Sequence, residues 1–158
     1  MDEILNTILK DTYSLAQLKH RLMILKTNLL KTFFGGTDNA PLLPQELNWL
    51  KSLPPNFYLQ FNKDNVYDIF SALEKTVGKL PELTMYLTFE PDDQTLSQIG
   101  IYARKNFGST LLLDIKLDPK LIAGTSLVWK GITKDYSVKS RLEEKKAEIF
   151  QGFKKFLR

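Results

Sequence analysis

In Leu83-Thr84-Met85-Tyr86-Leu87-Thr88-Phe89-Glu90, Leu83, Met85, Leu87 and Phe89 alternate with Thr84, Tyr86, Thr88 and Glu90. This two-residue period predicts a strand with one buried face. The residues before it repeat at helical intervals, so the change of period marks a change of architecture. Downstream, Pro91-Asp92-Asp93 places two carboxylates at the positive end of a helix running to about Asn106, with Leu96, Ile99 and Ala103 inward and Gly108 as its stop. A second strand is expected from Thr110 to Leu117. After Asp118-Pro119 and the Ile122-Ala123-Gly124 corner, a third is expected from Thr125 to Trp129, and a last helix from Ser137 or Ser140. The reading is an α+β fold: an N-terminal helical bundle over residues 1–80, then a small β-α-β-β-α domain over residues 83–158, with the boundary near Pro81.

Upstream, Ile4, Ile8, Leu15, Leu18, Leu22, Leu25 and Leu29 fall on the a and d positions of a seven-residue repeat, interrupted by Asp11 and Thr32. Ser14 followed by Gln17 is a candidate capping box, which divides the segment into a short helix and a long one. The repeat is compatible with bundle core or with a seam offered to another chain. Gly35-Gly36 ends it, and Gly35 to Leu43 reads as an exposed linker. Pro44 opens a helix of about two turns with Leu47 and Leu50 on one face, closed by Pro54-Pro55. A further helix opens near Asn62 or Asp64 and carries Val66, Ile69, Phe70, Leu73 and Val77 as one stripe, closed by Gly78 and Pro81.

Composition narrows the chemistry. The chain has 158 residues, 43% hydrophobic and 25% charged, with no Cys and one His. That length supports a core without disulfide or metal staples. A chain without thiols and with a single imidazole offers little for nucleophilic, redox or metal catalysis, so an enzyme ranks last. His20, between Lys19 and Arg21, reads as a surface residue; Asp92 and Asp93 read as helix caps. Gly35-Gly36 lacks the Lys-Ser/Thr of a phosphate loop. No cofactor or metal is expected. The acidic Met1-Asp2-Glu3 opening and the short aliphatic runs predict neither a secretory leader nor a membrane span. Of the two tryptophans, Trp49 is expected in the core and Trp129, at a strand end near Tyr136, nearer the surface.

The net charge of +4 has a place. Residues 138–158 hold seven bases and three acids, and the other 137 residues balance. The apolar side of that last helix, Val138, Leu142, Ile149, Phe153 and Phe156, with Phe150 nearby, needs cover and is the candidate partner-binding surface.

Two spaced motifs carry a resemblance. Leu112-Leu113-Asp114-Ile115-Lys116-Leu117-Asp118-Pro119-Lys120-Leu121-Ile122-Ala123-Gly124 resembles the strand and Asp-Pro-x-Leu-Ile-x-Gly corner of the delta subunit of F-type ATP synthases, the OSCP family. Asp135-Tyr136-Ser137-Val138-Lys139-Ser140-Arg141-Leu142 resembles that family's Asp-Gly-Ser entry to its last helix. In the corner, Asp118-Pro119 is expected to end the strand, Leu121 and Ile122 to pin the turn to the core, and Gly124 to take a backbone angle that a side chain opposes. Tyr136 stands where the family has Gly, so Ser137 is expected to shape the helix entry. The family carries a larger helical bundle than the three or four helices for which residues 1–80 have room.

The resemblance implies a non-catalytic connector in the peripheral stalk, at the cytoplasmic face of the cell membrane and attached through the complex. Its helical half would meet the alpha subunits and its α/β half the C-terminal helix of subunit b. A small nucleic-acid-binding module using the basic last helix is the alternative, weakened by the absence of an aromatic-plus-basic sheet face. A coiled-coil adaptor built on residues 4–32 is a third.

Overall fold

The α1 helix (Asp2–Leu9) buries Ile4, Leu5, Ile8 and Leu9, and the chain breaks at Lys10–Tyr13 before re-entering helix as α2 (Leu15–Phe34). The break falls where the heptad repeat meets Asp11. The computed structural model describes residues 2–35 and 42–156, the side chains from 153 onward excepted. Ser14 is the N-cap of α2, its hydroxyl accepting from Gln17 N–H at 3.1 Å. Gln17 Oε1 reaches back one residue further than a capping box requires, accepting from Tyr13 N–H at 3.0 Å. Gly35 closes α2 with φ +74 and donates to Lys31 O. Gly36 and most of the expected linker, including Pro41, lie outside the described residues.

Next come α3 (Pro44–Ser52), α4 (Pro55–Tyr58) and α5 (Val66–Val77). Proline at N1 opens both α3 and α4, because its missing N–H and fixed φ suit a first turn. Pro54-Pro55 was expected only to terminate; Pro55 also starts the next helix. Leu50 is buried but Leu47 is exposed, so α3 contributes a narrower face than its sequence spacing suggested. In α5, Val66, Phe70, Leu73 and Val77 are buried and Ile69 packs partly against them. Leu18, Leu22, Leu25 and Leu29 of α2 close over this stripe, with Phe57 and Phe61 filling the end. The heptad positions are therefore bundle core, and the adaptor seam is corrected: their partners lie within the chain.

The sheet comprises β1 (Glu82–Leu87), β2 (Leu112–Leu117), β3 (Thr125–Trp129) and β4 (Ile132–Asp135), in the order β2-β1-β3-β4. The α6 helix (Asp93–Phe107) joins β1 to its parallel neighbour β2, while β3 runs antiparallel to β1 and β4 antiparallel to β3. Leu83, Met85 and Leu87 are buried as expected. The strand stops at Leu87, however, and Phe89 is exposed, because the chain turns away toward the α6 cap. At that cap, Asp92 accepts from Thr95 N–H at 2.7 Å. The fourth strand was missed in the sequence reading. Its signal was Lys130-Gly131, where φ of +48 and +79 gives the two-residue turn that matches strand twist. The hairpin also places Trp129 at its turn, against Phe107, while Tyr136 lies beyond its other end, donating its N–H to Thr125 O.

Contacts run between the helices and the sheet. Leu112 is buried among the N-terminal helices, whereas Leu111 and Leu113 face the core between sheet and α6, as a two-residue period requires. Leu113 N–H donates to Tyr13 O at 2.9 Å, and Ser14 bridges Leu113 in parallel sense on the outer side of β2. Arg104 of α6 reaches across to cap α1: its guanidinium donates to Leu9 O at 2.7 Å, to Thr12 O and to Leu111 O at 3.0 Å, and lies over the Tyr13 ring. The last turn of α1 has no basic residue of its own, so Arg104 supplies the cation that orphan carbonyls at a helix C-terminus attract. Arg21 holds the same junction from α2, donating to Asp11 O and Thr12 Oγ1. Burial lowers the pKa of both guanidinium groups, and an arginine side chain stays protonated in a protein all the same.

Candidate partner-docking surface

The α7 helix (Val138–Phe156) begins at a junction that the two sequence motifs build together. Asp118 ends β2 and caps a 3-10 turn, Pro119–Leu121, by accepting from Lys120 N–H at 3.0 Å. Leu121 is buried. Gly124 has φ +89 and lies against the backbone of the helix entry, where Val138 N–H donates to Ala123 O at 2.9 Å. Asp135 accepts from Ser137 N–H at 2.8 Å, and the fully buried Ser137 caps α7 by accepting from Ser140 N–H at 3.2 Å. Hydrogen bonds from the Ser137 side chain and backbone hold the Asp135 carboxyl below its ordinary range. Tyr136, in the family's glycine position, needs no positive φ. The entry is shaped by Asp135 and Ser137 instead.

Beyond this junction α7 stands clear of the rest of the fold, touching it chiefly through the 3-10 turn. Every residue from Arg141 to Gly152 is exposed. The expected apolar stripe is present but uncovered: Val138, Leu142, Ile149 and the adjacent Phe150 keep between 38% and 55% of their surface in water. Leu142 and Ile149, seven residues apart, share one side of the helix. The side chains of Phe153 and Phe156 lie outside the described residues, as do those of Lys154 and Lys155. Arg141 is exposed, and its backbone N–H donates to Ser137 O at 3.4 Å in the first turn of the helix.

One placement contradicts the sequence reading. Ile122 was expected to pin the corner to the core, yet it is 61% exposed. It borders a concavity of about 350 Å³ together with Lys139, Leu142, Lys146, Ile149 and Phe150. The reason is its backbone: φ +68 and ψ −55, with Ala123 N–H donating to Leu121 O at 2.8 Å, form a γ-turn centred on Ile122 that throws its side chain outward. Nothing in the side-chain pattern announced this, since an Asp-Pro-x-Leu-Ile run reads as two consecutive core residues.

Elsewhere the chemical inventory stays thin. His20 Nε2 lies 2.7 Å from Glu46 Oε1 at the surface and ties α2 to α3. Among the described residues, no group of three or more His, Asp or Glu is placed to hold a metal ion, and no helix is long and apolar enough to cross a membrane.

The family model described as ATP synthase delta (OSCP) subunit matches residues 42–149, which spans α3 through most of α7. The ATP synthase subunit delta of Polaromonas naphthalenivorans is 32% identical over 115 residues, 73% of this chain and 64% of that protein. Its counterpart in Acidovorax sp. strain JS42 is 37% identical over 114 residues, 72% of this chain and 63% of that protein. That of Paracidovorax citrulli is 30% identical over 125 residues, 79% of this chain and 69% of that protein. The chain thus spans just under two thirds of the length of the first of these relatives.

Proposed function

The chain belongs to the ATP synthase delta (OSCP) subunit family, and on that premise we propose that it is a non-catalytic stator connector of a rotary F-type ATP synthase. Rotation of a central shaft does work on a catalytic head only if the head is held still, so a peripheral stalk must resist the torque. The protein at that joint needs interfaces rather than reacting groups. In this reading the N-terminal helices, residues 1–80, face the alpha subunits, and the α/β unit, residues 83–158, receives the C-terminal helix of subunit b. The complex sits at the cytoplasmic face of the cell membrane, and the chain reaches the membrane only through it.

The observation that carries the reading is the family match over residues 42–149. The exposed stripe of α7 supports it, because an amphipathic helix whose residues from Arg141 to Gly152 are all exposed is suited to packing with another helix. The stripe residues with known exposure are Val138, Leu142 and Ile149; Phe153 and Phe156 continue the same spacing.

The test is affinity purification of the tagged full chain from membranes at physiological salt. Recovery of alpha subunits and subunit b is the expected result. Recovery of nucleic acid instead, with binding that collapses steeply as salt rises, would establish the alternative of a phosphate-binding helix.

A further inference from the structure

We infer that Ile122 is an anchor residue of the docking surface, displayed by its γ-turn to seat a partner helix against Leu142, Ile149 and Phe150. The inference rests on the stator reading and adds a residue and a partner chemistry to it. A positive φ with negative ψ is a rare, strained backbone state, and a β-branched side chain suits it least of all. Glycine adopts positive φ with no Cβ in the way. Isoleucine occupies the position nonetheless, and its side chain adds little to the core, being 61% exposed. A side chain held in an unfavourable backbone state and then left in water has its use outside the fold.

That use is indicated by what stands next to it. Ile122 adjoins the stripe of α7, so loop and helix together form an apolar concavity of about 350 Å³. Lys139 and Lys146 stand at its rim with Glu143, and residues 138–158 carry seven bases against three acids. An amphipathic helix flanked by acidic residues complements this rim. A second copy of the chain does not, because it would bring two base-rich helices together. Nucleic acid would leave the apolar floor uncovered.

The experiment titrates a purified soluble segment of subunit b, containing its C-terminal helix, into the full chain by calorimetry, with thermal melting and sedimentation on the same samples. Ile122→Gly is expected to weaken binding at least tenfold while its melting midpoint equals or exceeds that of the unsubstituted chain. Ile122→Leu is expected to keep binding within about threefold. A midpoint that falls by several degrees in Ile122→Gly would place the side chain in the service of the fold and overturn the inference. Unchanged affinity in Ile122→Gly overturns it while the stator reading stands. If the unsubstituted chain ignores the segment, both fall. A dimer that Ile122→Gly converts to monomer would identify a second copy as occupant, again overturning the inference.

Discussion

Gly124 and Tyr136 touch backbone to backbone: a Cβ on Gly124 would lie 2.5 Å from the Tyr136 carbonyl oxygen and 3.1 Å from Ser137 Cα. Two motifs separated by a hairpin in sequence are thus one joint in space, with the Asp-Pro corner on one side and the entry to α7 on the other. The direction in which α7 leaves the sheet is set there, by the hydrogen bond from Val138 to Ala123 and by the Ser137 cap.

Gly124→Ala should therefore destabilise the protein by about 2–4 kcal/mol. The positive φ contributes about 1–2 kcal/mol, and the overlap adds a further cost typical of overpacking. Gly124→Val should be worse. Chemical denaturation measures both, and an unchanged midpoint would show that corner and helix entry do not meet as described.

Arg104→Met keeps the length of the side chain and removes donors to Leu9 O, Thr12 O and Leu111 O. A loss of about 2–3 kcal/mol is expected, since hydrogen bonds from charged groups are the stronger kind. Amide exchange should quicken at residues 10–14 in particular. Lys116→Ala, which removes a surface pair with Asp114, is the control and should stay within about 1 kcal/mol of the unsubstituted chain.

Acid should loosen two helix starts. The Asp92 carboxyl is held low by hydrogen bonds from the Thr95 side chain and backbone, and Asp135 by those from Ser137. Each folded-state pKa lies below its unfolded value, so the stabilisation is complete above about pH 4 and disappears as pH falls through the folded value. The double variant Asp92→Asn, Asp135→Asn should show a flatter dependence of melting midpoint on pH below about pH 4 than the unsubstituted chain. Parallel curves would exclude these carboxylates as the source.

Leu142→Ser and Ile149→Ser should change the stability of the isolated chain by no more than about 0.5 kcal/mol, as exposed positions do. In the proposed complex with subunit b the same residues would be buried, each contributing about 1.5–3 kcal/mol, or roughly 10- to 150-fold in affinity. Loss of co-purification with subunit b at an unchanged melting midpoint is the expected pair of results. A large drop in midpoint would show that α7 already packs on its own chain.

The elements that were legible in the sequence are those whose signal is local. Ser14 with Gln17, Asp92 before its helix, Gly108 after it and Thr125–Trp129 stand where spacing and capping put them. The family's motifs gave the corner and the helix entry. What sequence missed depends on distant partners or on backbone angles. Trp129-Lys130-Gly131-Ile132 was passed over as a hairpin because β4 is exposed along its whole length and lacks an alternating apolar pattern. Ile122 was assigned inward because composition says nothing about a γ-turn. The role of Arg104 was invisible, since the carbonyl at Leu9 that it caps lies about a hundred residues earlier.

The parallel bridge between Ser14 and Leu113 also sets an order of events during synthesis. At roughly 5–20 residues per second, the Tyr13 carbonyl waits about 5–20 s before Leu113, the residue that donates to it, has been made. Among the described residues it is that earlier segment that bridges the outer edge of β2 at Leu113, so a nascent chain whose first helices have wandered or been captured would leave this part of the strand edge open to another chain. Early helices that stay together until the sheet arrives are thus a protection against misassembly, and slowing translation between residues 35 and 110 should raise the fraction of chains that aggregate.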